Sequence, residues 1–230
     1  EWGRGRVEER GSQAKKGDYD LYHWTPAAPT AMTFFPNLNR RVNPDEPATR
    51  WKHTLLNEKN FRRALSLALN RQEIINAVYN GVGEPAQSSP GKGSPYFYEK
   101  LLHSFIAYDP AQANALLDSL GLTHRDREGF RTFADQTRMT FFLSTANNQP
   151  VDAPQWVAGY WNKIGVRTIV QVNDIALFET RVYSTDYDIV AMPGLDEFLP
   201  LVDARDFVPT GPPTFFAPPS TFFTSTSRPF

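Results

Sequence analysis

From Met139 to Met192 the apolar residues alternate between the spacing of a strand and that of a helix, and this alternation limits the fold more than any other feature of the chain. The run Met139-Thr140-Phe141-Phe142-Leu143-Ser144-Thr145 reads as a strand, Ala153 to Ile164 as an amphipathic helix closed by Gly165, and Val166 to Val172 as a second strand. Asp174 is placed to cap a helix carrying Leu177, Phe178, Arg181 and Val182, and Tyr187 to Met192 makes a third strand. Strand-helix-strand repeats close by right-handed crossovers, so the expected fold is α/β, with a mixed, mainly parallel sheet flanked by helices. Ligands of open α/β sheets gather outside the carboxyl ends of the strands. The loop Pro193-Gly194-Leu195-Asp196-Glu197, which leaves the third strand at Met192, is therefore where contacts to a bound molecule are expected.

Upstream, Phe61, Ala64, Leu65, Ala68 and Leu69 recur at helical spacing, with Arg62 and Arg63 on the outer side. Asn70 and Glu73 have the spacing of a capping box, which starts a second helix bearing Ile74, Ile75, Val78 and Tyr79, and Gly81 stops it. Asp109 is an N-cap before Pro110 at the first helical position, Ala113, Leu116, Leu117 and Leu120 form an apolar stripe, and Gly121 supplies a left-handed exit. Between these pieces, Tyr19 to Trp24 and Phe34 to Leu38 read as short extended segments. Residues 40–56 read as a polar loop entering the helix pair, and residues 81–107 as a long excursion rich in Pro and Gly.

In this order the segments resemble the family 5 extracellular solute-binding proteins, the peptide, nickel and sugar receptors of ABC importers. Lys16-Gly17-Asp18-Tyr19-Asp20-Leu21 is similar to the family's leading strand, and Phe35-Pro36-Asn37-Leu38-Asn39 resembles its F-N-x-N segment. Residues 57–87 resemble its helical core, and Tyr108 to Leu117 its Y-D-P-x-x-A-x-x-L-L motif. The resemblance implies a periplasmic-binding-protein-like lobe II over residues 17–206. A frayed or hinge-crossing segment, residues 1–16, precedes it, and a Pro/Phe-rich tail, residues 207–230, returns toward a first lobe that this chain does not carry. It also implies a receptor that is not an enzyme, periplasmic or extracytoplasmic and peripheral to the membrane. Such a receptor captures a peptide-like solute between two lobes and delivers it to a membrane permease. Peptide-binding relatives place an aspartate for the ligand's α-ammonium roughly where Asp196 stands, whereas Met192 and Pro193 occupy positions where they carry a tryptophan.

Composition removes several other chemistries. The 24 basic and 25 acidic side chains leave a formal net charge of −1, which speaks against a dedicated nucleic-acid or anionic-membrane binder. With no cysteine there is no disulfide, thiolate nucleophile or Cys-type metal site. The four histidines lack metal-ligand spacing, no G-x-S-x-G elbow occurs, and Gly91-Lys92-Gly93-Ser94 lacks the spacing of a phosphate loop, so neither metal nor cofactor is expected. No run is long and apolar enough for a membrane span, and Glu1 to Arg6 has no signal-peptide core.

The candidate ligand contacts are Asp196, Trp24, Asn37, Gly194 and Met192. Asp196 either pairs with a cation in a closed cleft or is a solvated acid beside Glu197. Trp24 either lines the cleft or packs on the sheet, and Asn37, with Asn39, either offers amide bonds to a solute or satisfies local backbone. Two rival functions fit fragments of the sequence. One is a carboxylate-dependent hydrolase built on pairs such as Asp186/Asp188 or Asp203/Asp206, and the other is a DNA-binding helix-turn-helix carrying Arg62, Arg63 and Arg71.

Overall fold

The computed structural model describes residues 30–194 and 214–216. Within them, β1 (Thr33–Pro36) is followed by α1 (Pro47–Asn57), α2 (Lys59–Leu67), α3 (Arg71–Val78), the short α4 (Glu99–Leu102) and α5 (Pro110–Ser119). Then β2 (Thr140–Ala146), α6 (Asp152–Lys163), β3 (Arg167–Asn173), α7 (Ile175–Tyr183) and β4 (Ile189–Met192) alternate as the sequence leads one to expect. The sheet runs β1-β4-β2-β3, with β2 parallel to both β3 and β4 and β1 antiparallel to β4. It is thus mixed and mainly parallel, with helices on both faces.

Side-chain alternation along the strands divides the core in two. Phe141, Leu143, Ile189 and Ala191 face a large cluster built with Phe61 and Leu65 of α2, Leu117 of α5, and Val157 and Trp161 of α6. Phe35, Val190 and the half-buried Met192 face the other way, onto Phe178 and Val182 of α7 with Tyr187 and Phe215.

Local signals fixed the helix starts. The side chains of Asn70, Asp109 and Asp174 accept the backbone N–H groups of Glu73, Gln112 and Leu177 at 3.2, 2.8 and 3.0 Å. In the first of these the reciprocal arm departs from a capping box, because Asn70 Nδ2 donates to the Glu73 carboxylate at 3.3 Å. That carboxylate also accepts the hydroxyl of Tyr160, which ties α3 to α6. Gly121 and Gly165 leave α5 and α6 at φ +79° and +86°, a left-handed exit that glycine takes without strain.

One expectation is corrected outright. Residues 47–57 of the supposed polar loop are helix α1, which begins with Pro47 in its first turn and buries Thr49, Lys52, Leu55 and Leu56. Lys52 occupies a core position that sequence patterning assigns to a surface residue. Its ammonium reaches Asp188 at 2.6 Å, and Asp188 also takes the Arg40 guanidinium at 2.8 Å and the Phe142 N–H at 2.9 Å. A buried lysine beside a buried aspartate is a satisfied pair, so the stripe is continuous although one of its members is charged.

Candidate functional site

Three parallel strands bring their carboxyl ends to one side of the sheet. Ala146 of β2 lies level with Asn173 of β3, the β2–β4 register puts Met192 beside them, and Thr33 of β1 pairs with Met192. Thr33, Met192, Ala146 and Asn173 therefore form a row across the sheet on the α7 face. The N–H of Asn147 bonds the Asn173 carbonyl at 2.8 Å, and Asp174 then caps α7, so the loops of β2 and β3 are held together where they leave the sheet.

Polar groups collect along this row. Among the described residues, four buried side-chain polar atoms have no hydrogen-bond partner; two of them, Thr33 Oγ1 and Asn173 Nδ2, lie in this row, and a third, Thr145 Oγ1, sits at the same end of the sheet on the opposite face. An unsatisfied buried donor costs about 1–3 kcal/mol, so each of these atoms calls for a partner outside the fold, a water or a bound molecule. Arg181 of α7 approaches from the side, donating to Gln171 Oε1 at 3.2 Å and Asn173 Oδ1 at 3.4 Å.

The expected contacts divide clearly. Gly194 sits where the chain leaves β4, and its N–H donates to the Thr30 carbonyl at 2.8 Å. A Cβ there would overlap that same carbonyl, so glycine is required by the close approach. Met192 ends β4 in the row just described. Asn37 is a correction: it lies at the opposite end of the β1–β4 ribbon, four residues and about 13 Å from Thr33 at the rise of a strand. It is fully buried there. Its amide donates to the carbonyls of Thr185 at 3.1 Å and Tyr187 at 2.9 Å, and its oxygen accepts the Asn39 N–H at 3.0 Å, so it joins the α7–β4 turn to β1. Trp24 and Asp196 lie outside the described residues, as do the Tyr19–Trp24 segment and the Asp203/Asp206 pair.

Sequence reasoning missed Thr33, Thr145, Asn173 and Arg181. The rule that placed the ligand beyond the strand ends pointed at Asn173 as much as at Met192, but the bareness of an amide hydrogen is a fact of three dimensions.

Among the described residues the rival readings lose part of their residues here. Asp188 is fully buried and committed to Arg40, Lys52 and the β2 backbone, which leaves no Asp186/Asp188 pair facing a substrate. Arg62 and Arg71, half-buried, donate to the chain's own carbonyls at Leu56 (2.6 Å) and Ser66 (2.9 Å), while Arg63 is exposed. Among the described residues no group of His, Asp and Glu is arranged to hold a metal ion, and no helix is long and apolar enough to cross a membrane.

The family model described as bacterial extracellular solute-binding proteins, family 5 Middle, matches residues 6–201. Over 176 residues the chain is 26% identical to di/tripeptide-binding protein 1 of Pseudomonas aeruginosa, a span of 71% of this chain and 29% of that protein. Over 206 residues it is 22% identical to the periplasmic alpha-galactoside-binding protein of Rhizobium meliloti, covering 82% of this chain and 30% of that one. Among solved structures, an oligopeptide-binding protein OppA superposes with a TM-score of 0.81 at 30% identity, over 90% of this chain and 32% of its own. The chain spans less than a third of the length of each of these relatives.

Proposed function

Because the chain belongs to the bacterial extracellular solute-binding proteins, family 5, we propose that it supplies one wall of a receptor that captures a peptide-like solute and hands it to the membrane permease of an ABC importer. The observation that carries this reading is the row at the carboxyl ends of β2, β3 and β4. It joins Met192 and the pinned Gly194 to a set of buried polar groups not used by the fold. Closure of a second lobe over that row excludes water and strengthens each polar contact to the solute. Residues 17–206 form the lobe in this reading, the chain crosses to the other lobe near 17–22 and 200–210, and Asp196 and Trp24 are proposed solute contacts. A peptide cargo is favoured over a sugar because the relative with 30% identity is named for oligopeptides. The compartment that follows from the family is extracytoplasmic, with the protein peripheral to the membrane.

Half a site makes half the contacts, and ordering a solute on one open wall leaves it largely hydrated. The 230-residue chain is therefore expected to bind di- and tripeptides at least about 100-fold more weakly than the product of the complete gene, by the arithmetic of lost contacts. Calorimetry on both proteins tests this. Submicromolar affinity in the 230-residue chain alone removes the two-lobed reading.

A further inference from the structure

Residues 212–219 read Pro-Pro-Thr-Phe-Phe-Ala-Pro-Pro, and they lie beyond residue 201, where the match to the family model ends. Proline has no backbone N–H and holds φ at about −65°, so a proline pair on each side opposes drawing the two phenylalanines into a helix or a sheet ladder. Thr214–Phe216, the described part of this stretch, is neither helix nor strand, yet it is docked on the lobe.

Thr214 and Phe215 are buried. The Phe215 ring joins Phe35 of β1, Val190 of β4 and Phe178 and Val182 of α7 in one apolar cluster, its centroid 5.7 Å from that of Phe35. Two backbone carbonyls fix the register of the segment. That of Phe215 accepts the Tyr187 hydroxyl, and that of Phe216 accepts the Leu38 N–H at 2.7 Å. The walls of this socket thus come from residues 35–190, and the ring that fills it from the far side of the 195–213 stretch.

Helix α7 is the wall that depends on the plug. It has nine residues and buries Phe178 and Val182, both in the socket. A helix of that length does not hold itself in water, so its position follows the filling of the socket. Arg181 of α7 donates to Gln171 and Asn173 of β3, which passes that position on to the Asn173 end of the polar row.

We propose that the socket is a recognition site for a proline-flanked aromatic segment, and that Thr214–Phe216 occupies it as a detachable clip that seats α7. The mode is that of a linear motif: one buried aromatic anchor, two backbone carbonyls met by fixed donors, and proline flanks with few conformations to lose on docking. A segment held in this way exchanges for an identical one on another molecule, against the roughly millimolar effective concentration of the tethered copy.

The test uses the 230-residue chain, its Phe215→Ala variant and a fluorescent peptide of residues 210–220. Anisotropy is expected to show saturable binding of the peptide to the variant, whose socket lacks its ring. Binding to the natural chain, whose own segment competes, is expected to be at least about ten-fold weaker, and a peptide with both phenylalanines replaced by alanine does not bind. Hydrogen exchange of the α7 amides is expected to run at least about ten-fold faster in the variant than in the natural chain, to change less in α5 and α6, and to slow again when the peptide binds. Phe215→Leu, which keeps most of the packing, gives a smaller change in the same direction and takes the place of the alanine variant if that one does not fold. Equal binding of the peptide by the natural chain and the variant, no binding by a folded variant, binding of the alanine peptide, or α7 exchange that quickens no more than that of α5 and α6 would each overturn the proposal.

Discussion

Asp188 takes two cations and one backbone donor in a site sealed from water, which makes it the most demanding residue of the fold. Replacing it with asparagine strands the buried Lys52 without a counter-charge and leaves Arg40 only the exposed Asp186 at 2.7 Å, and Asp188→Asn is expected to lower stability by about 3–5 kcal/mol in urea unfolding. Asn37→Ala is milder. It removes the amide donor to the Tyr187 carbonyl and leaves the Thr185 carbonyl with only the Arg41 N–H, a loss of about 1–3 kcal/mol, while solute affinity of the product of the complete gene stays as it was. Tyr187 introduces a pH dependence. Its hydroxyl donates to the Phe215 carbonyl, and burial raises its phenol well above the ordinary 10.0. A phenol held neutral in the fold contributes stability that is complete below pH 10.0 and is lost as the pH rises beyond it. Tyr187→Phe is therefore expected to flatten part of the alkaline fall in melting temperature, at a cost of about 1 kcal/mol near neutrality.

Elements differ in how far they could be read from the chain, and the difference is one of range. The starts of α3, α5 and α7 were legible because a cap is a bond between neighbours, and Asn70, Asp109 and Asp174 all make theirs. Asp109→Ala is expected to cost about 0.5–2 kcal/mol, measured by thermal unfolding, without changing the sheet. Helix α1 was not legible, since Lys52 hides an inward position until Asp188 is seen beneath it. Residues 122–138 are held by a similar long-range device. Their anchor is Arg131, a fully buried guanidinium that bonds the Ile164 carbonyl at 2.9 Å and Asn114 at 2.8 Å, partners distant in sequence. In the candidate site, Met192 and Gly194 could be found because strand order dictates where a parallel sheet presents its loops. Thr33, Thr145 and Asn173 could not, because nothing local distinguishes a bonded hydroxyl or amide from an orphaned one.

At the scale of the whole molecule, a mainly parallel sheet clad on both faces presents its strand ends, where the pinned loop at Gly194 leaves β4. They are the basis of the solute-binding reading, and the contact between Gly194 and Thr30 is its most exposed point, because no side chain larger than hydrogen fits against that carbonyl. The most direct measurement is a calorimetric titration of the product of the complete gene with di- and tripeptides, in the natural form and as Gly194→Val, with circular dichroism to show that both fold. The expected result is saturable binding by the natural protein and a loss of at least about ten-fold, or 1.4 kcal/mol, in the variant. Equal affinities in the two folded proteins would contradict the placement of the solute at the strand ends.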